Sequence, residues 1–238
     1  MGKMRLDKYL ADMGLGTRSE VKKLLKKGLV TVNGEKVSKP ELKIDSQSDA
    51  VAAEGRLLSY VDREYYMLNK PKGVVSATED SRERTVLDCI SSKIRKDLFP
   101  VGRLDKDTEG LLLITNDGEL AHRLLSPKKH VDKTYQVELA EPLSSEDKER
   151  LEEGVDIGDE KPTLPAVITE FQPGCRVCLI TIREGRYHQV KRMFAAVGNQ
   201  VAGLKRLSMG SLALDEKLKP GENRKLTEDE IERLSKNA

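Results

Sequence analysis

Residues 29–37 read LVTVNGEKV, two short alternating segments joined by Asn33-Gly34. A two-residue hairpin turn needs φ > 0 at both central positions, which Asn and Gly adopt at little cost, so this stretch predicts a tight β-hairpin. The residues in front narrow the fold further. TRSE, 17–20, has a capping-box pattern, in which Thr17 caps the backbone and Glu20 reaches back. The helix it opens is predicted to run to about Lys27, with Gly28 as its stop and Val21, Leu24 and Leu25 turned inward. A shorter helix over 5–13 has Leu6, Tyr9, Leu10 and Met13 on one face. The first 45 or so residues therefore read as helix, helix, hairpin.

Charge says what such a unit could meet. The chain is 34% charged, yet its formal net charge is only +2, so any basic footprint must be local. Residues 1–36 hold nine Lys and Arg against four Asp and Glu. That excess suggests a polyanionic partner. The candidate contacts are Arg5, Lys8, Arg18, Lys22, Lys23, Lys26 and Lys27. Such side chains contact phosphates, and so give affinity and salt dependence but little sequence discrimination. A solvated charged face is the plainer reading for one helix, and less so for charge spread over two helices and a hairpin.

A second unit is expected from Tyr60 on, giving domains 1–59 and 60–238. YYMLNKPKGVVS reads as strand, turn, strand, and GLLLITNDG as a short buried-type strand. ELAHRLLSP, SSEDKERLEEG, HQVKRMFAAVG and LTEDEIERL read as helices; KTYQVELAEPL, PAVITEF and CRVCLITIREG read as strands. Strands and helices mix without steady alternation, which predicts an α+β domain with a largely antiparallel sheet. Three cysteines, an odd and low number, together with no apolar leader and no run of ~18 apolar residues, set the expectation of a cytoplasmic protein off the membrane. Cys175 and Cys178 form one CxxC without the second ligand pair a zinc site needs, and His122, His130 and His188 lack metal spacing, so no metal is expected. Nothing suggests an obligate dimer, and a monomer is expected.

GRLDKDTEG, 102–110, carries the chemistry question. Asp105, Asp107, Glu109 and Gly110 fill positions 1, 3, 5 and 6 of a calcium loop, but position 12 is Asn116, which cannot clamp the ion with two carboxylate oxygens. A polar turn before a strand accounts for Asp107 and Glu109. It does not account for Arg103 and Asp105 bracketing Leu104, two opposite charges on one side of an extended segment. A carboxylate anchored at the entrance to a strand suits catalysis.

Three blocks and the front unit carry a resemblance. GRLDKDTEGLLLITNDGELAHRLLSPKKHVDKTYQV is similar to the central signature of the pseudouridine synthases. YYMLNKPKGVVS resembles their opening block, EGRYHQVKRMFAAVG their late basic block, and residues 5–37 the RNA-binding domain shared with ribosomal protein S-four. The resemblance implies isomerisation of a uridine in ribosomal RNA, with no cofactor and no metal. It implies Asp105 as the essential aspartate, acting as nucleophile or as base; Lys191 as its basic partner; and Tyr135 as the ring against the target base. It further implies Arg103 as a nucleotide-holding neighbour, with Arg186 and His188 in backbone or pocket roles. HRLLSPKKHVDKTY is closest to the synthases of small-subunit (16S) RNA, naked or in a partly assembled subunit. Large-subunit (23S) RNA, or a non-catalytic assembly factor, are the alternatives.

Overall fold

The capping box forms as written: the Glu20 backbone N–H donates to Thr17 Oγ1 (3.3 Å) and that of Thr17 to Glu20 Oε2 (2.7 Å) in the computed structural model, which describes residues 3–237. Two structural units are present. The first comprises the residues up to Glu64 and also Ser92–Leu98; the second comprises Tyr65–Ser91 and the chain from Phe99 on. The sequence suggests one boundary, at 59/60, and carries no local sign of the return of Ser92–Leu98.

The first unit runs β1 (Met4–Arg5), α1 (Leu6–Asp12), α2 (Arg18–Lys26), β2 (Val30–Val32), β3 (Glu35–Lys36), β4 (Lys43–Ile44), β5 (Val51–Ala53) and β6 (Arg56–Leu58). Asn33 and Gly34 take φ of 52° and 85°, and the β2–β3 hairpin closes across them. The sheet order is β3-β2-β5-β6, beside a β1-β4 pair. The apolar stripes of both helices meet β2 and β5 in one core: Leu6, Tyr9, Leu10, Val21, Leu25, Val30, Ile44 and Val51 are buried there. Arg95, on the returning segment, is 4% exposed and pairs with Asp97 (2.6 Å) and Asp12 (3.3 Å). A buried guanidinium needs such partners; removing residues 1–59 would take away Asp12 and leave Asp97 as its ion-pair partner.

The second unit contains β7 (Tyr65–Lys70), β8 (Phe99–Pro100), β9 (Glu109–Thr115), α3 (Gly118–Leu125), β10 (Lys133–Leu139), α4 (Ser145–Glu153), β11 (Val167–Thr169), β12 (Val177–Ile182), α5 (Gln189–Ala196), β13 (Val201–Met209), β14 (Leu212–Ala213), β15 (Asn223–Lys225) and α6 (Glu228–Asn237). Its strands form a sheet of order β11-β12-β10-β13-β9-β7-β15, with β14 on β13 and β8 on β9. Pairing is antiparallel except between β13 and β9. β9 is buried from Gly110 to Thr115, which is why it reads as a continuous apolar run and not an alternating one. Met67, Leu111, Leu113 and Met209 of the sheet pack with Leu120 and Leu124 of α3 and Leu234 of α6.

The second strand expected in YYMLNKPKGVVS does not form; Val75 makes an isolated bridge to Thr85. The polar groups of this stretch are used elsewhere. Gly73 N–H donates to Lys106 O (2.7 Å), and the Ser76 hydroxyl both donates to Leu104 O (2.8 Å) and accepts from Leu104 N–H (3.0 Å). β13 is not legible in the sequence, because Lys205 and Arg206 break its apolar alternation.

At the C-terminal helix, Arg224 donates to both Glu230 oxygens at 2.8 Å, which holds that carboxyl down to about 2. A depressed carboxylate contributes stability that is complete above its ordinary value of 4.5 and is lost as pH falls through about 2. Urea unfolding between pH 5 and 2 should therefore show a loss on the order of 1–2 kcal/mol that Arg224→Met lacks.

Candidate active site

Asp105 stands in the turn that leads into β9, with Leu104 beside it buried and Arg103 exposed. The turn is held by its backbone. The Lys70 ammonium, at the end of β7 and without solvent exposure, donates to Pro71 O (3.0 Å), Asp105 O (3.0 Å) and Thr108 O (2.8 Å). Ser76 clamps Leu104 from the other side, as above. Burial pushes the Lys70 ammonium down to about 8, against the pull of Asp107 and Asp105. Neither residue stands out in the sequence: a lysine closing an apolar strand ordinarily faces water. Lys70→Met leaves these carbonyls without a donor, and the denaturation midpoint should fall by the equivalent of about 2–4 kcal/mol.

Lys191, in the first turn of α5, reaches this turn. Its ammonium lies 3.1 Å from Asp105 Oδ2 and 2.6 Å from Asp107 Oδ1. Burial pulls the Lys191 ammonium down, but its hydrogen bonds to Asp107 and Asp105 outweigh that, and the net shift is upward. The bond from Lys191 holds the Asp107 carboxyl below the ordinary range, against desolvation. Asp107 is thus more than the turn residue the sequence suggests. Glu109 turns instead to Lys72 (3.5 Å), so the three acids of GRLDKDTEG do not converge as calcium ligands would.

His188 adds a third contact, its Nε2 3.3 Å from Asp105 Oδ1. It sits in the left-handed region (φ 48°) as the N-cap of α5. Tyr135 comes from β10, where the pairing with β13 shifts register between Thr134 and Tyr135. Irregularities of this kind re-aim a side chain beside a site. Tyr135 is buried, and it lines with Arg103, Asp105, His188 and Lys191 a cavity of about 80 Å³. That volume is small beside the ~300–1,000 Å³ of ligand sites. A larger groove, about 690 Å³, lies among Lys129, Asp132, Arg183 and Ser211 and contains none of the predicted catalytic residues. Converging charge marks the site better than size does.

Of the predicted residues, Asp105, Tyr135, Lys191, Arg103, Arg186 and His188 line this one cavity. Arg103 makes no hydrogen bond or ion pair among the described residues and remains available to an incoming anion. Arg186 is committed: it donates to Glu184 (3.0 Å), Lys161 O (2.6 Å) and Pro162 O (2.8 Å), so it braces the loop before α5. The basic residues of the first unit are also unequal. Arg5 grips the buried Asp7 through two bonds, at 3.0 and 2.8 Å. Lys8, Arg18, Lys22, Lys23, Lys26 and Lys27 are exposed. Lys23 and Lys27 share an open groove with Lys96, which sequence reasoning misses because it lies some 70 residues away on the returning segment. Among the cysteines, Cys178 is buried and its thiol is pushed up to about 11 by burial, while Cys175 is exposed.

Residues 64–196 match the family model described as RNA pseudouridylate synthase, and residues 4–51 match the S4 domain. The chain is 52% identical over 235 residues to an uncharacterized RNA pseudouridine synthase of Bacillus subtilis, covering 98% of each. It is 47% identical over 234 residues to the ribosomal small subunit pseudouridine synthase A of Vibrio vulnificus, covering 98% of this chain and 100% of that one. A crystal structure of pseudouridylate synthase superimposes with a TM-score of 0.68 at 42% identity, over 97% of this chain and 99% of that chain.

Proposed function

This chain belongs to the RNA pseudouridylate synthase family, and on that premise we propose that it converts one uridine of 16S ribosomal RNA to pseudouridine, with Asp105 as the group that acts on the nucleotide. The observation that carries the assignment is the Asp105 carboxylate, 27% exposed and 3.1 Å from Lys191, at the mouth of a small cavity walled by Tyr135. The small-subunit target is supported by the name of the Vibrio vulnificus relative, which aligns over the full length.

The reaction is balanced without an external reagent. The bond from the sugar to uracil nitrogen 1 breaks, a bond from the sugar to carbon 5 forms, the proton on carbon 5 leaves and nitrogen 1 gains one. Asp105 serves as nucleophile at the sugar or as the base that removes a sugar proton. Lys191 sets an opposite charge 3.1 Å from it. Tyr135 is assigned to pack on the base, with its hydroxyl as the group for proton transfer at carbon 5. Arg103 holds the nucleotide out of its helix, which is needed because a stacked uridine hides the bond to be cut.

The test is to delete the gene, map pseudouridine in both ribosomal RNAs, and restore with the wild-type chain. One 16S position should vanish and return. Loss of a 23S position instead would reassign the substrate, and unchanged maps would remove the enzymatic reading. RNA docking is assigned to the first unit. Replacing Lys22, Lys23, Lys26 and Lys27 by Gln should weaken binding and flatten the plot of log K against log salt by about 1 for each phosphate no longer neutralised.

A further inference from the structure

We propose that Tyr187, stacked on His188, is a second base-binding subsite, a platform for the nucleobase adjoining the target uridine in the RNA strand. The inference rests on the pseudouridine synthase reading above and extends it to a neighbouring nucleotide. Tyr187 is 69% exposed, and among the described residues it is the one exposed Tyr or Phe. An aromatic side chain left so far in water buries little apolar area, so its contribution to packing is small. Its ring lies 3.8 Å from that of His188, at 18° between planes. The His188 Nε2 is in turn 3.3 Å from the Asp105 carboxylate. The platform is thus one stacking step from the group assigned to the reacting nucleotide.

The ring is also presented on fixed backbone. Arg192 Nη1 donates to Tyr187 O (3.1 Å), and Arg186, just before it, is tied to Glu184, Lys161 O and Pro162 O. The Arg186 backbone N–H donates to Gln189 Oε1 (3.0 Å), and His188 holds its left-handed conformation between them. A platform ordered before binding loses little freedom when a base lands on it. Flipping the target uridine removes the stacking partner of the nucleotide beside it, and an exposed aromatic face replaces that partner for any base, since every base has a π-face.

The test compares Tyr187→Leu, Tyr187→Phe and Tyr187→Trp in the full chain. With a 16S transcript as substrate, Tyr187→Leu should raise KM on the order of tenfold while kcat stays within about twofold; the Phe and Trp variants should keep the wild-type KM. A short RNA hairpin with 2-aminopurine beside its only loop uridine gives a readout that does not need turnover. Its emission should fall on binding wild type, Phe or Trp variants, and not on binding Tyr187→Leu. An unchanged KM in Tyr187→Leu, a Phe variant as impaired as Leu, or equal quenching by Leu and wild type would each overturn the platform. If wild type quenches the probe yet forms no pseudouridine in either ribosomal RNA, the enzymatic reading fails while the platform stands.

Discussion

Asp105→Asn should lower pseudouridine formation by about 10⁴-fold or more while RNA binding stays within roughly threefold. Asparagine keeps the shape of the side chain and removes its charge, its basicity and its use as a nucleophile. The turn should survive, because it is held through the carbonyls of Pro71, Asp105 and Thr108 on Lys70 and through the backbone of Leu104 on Ser76, not through the carboxylate. The measurement is release of label from RNA carrying tritium on carbon 5 of uridine, beside a binding titration on the same RNA. Wild-type release by the Asn variant would take away the role assigned to Asp105. Loss of binding in step with loss of release would point to a positional role instead.

The second large effect is expected at Lys191. Lys191→Met leaves Asp105 and Asp107 facing one another without the ammonium that lies 3.1 and 2.6 Å from them. Two carboxylates so placed repel, and the variant should turn over about 100-fold more slowly. Lys191→Arg should recover most of that, since a guanidinium fork can bond both acids. Asp107→Asn should cost less than either loss at its partners, because Lys191 then still has Asp105. Combining Lys191→Met with Asp107→Asn should be less severe than the two effects added, because both act through one ammonium. Single-turnover rates of the four proteins check this. Full additivity would mean that Asp107 is only a turn residue.

What is legible in the sequence follows where local rules act alone. Thr17 with Glu20, and Asn33 with Gly34, fix their own geometry within four residues, and both appear where expected. The α+β class and the largely antiparallel sheet follow from element order. Within the site, elimination leaves Asp105 as the acid that a turn or an ion does not explain, and the resemblance supplies its expected role and its partners Lys191 and Tyr135. The residues that support it are not legible. Lys70 looks like any strand-end lysine until burial is known, and Ser76 looks like part of a strand because the partner of its hydroxyl is 28 residues away. Asp107 reads as a turn acid because its lysine is 84 residues distant. Long-range pairing decides all three, and no local pattern encodes it.

Five residues beyond the aspartate, Gly110 adjoins β13 so closely that a Cβ there would overlap Arg206 O, at φ 101°. With Lys70 fixing one flank and this crossing the other, the backbone that carries Asp105 is held from both sides. On the proposed reading, the movement that brings sugar and carboxylate together falls chiefly to the RNA strand. A uridine that is already unpaired, or held by weak stacking, begins nearer the reactive geometry than one in a firm duplex. On that reading, site choice should follow the deformability of the target as well as contacts to it, and loosening the RNA around a poor site should raise its modification with no change to the protein.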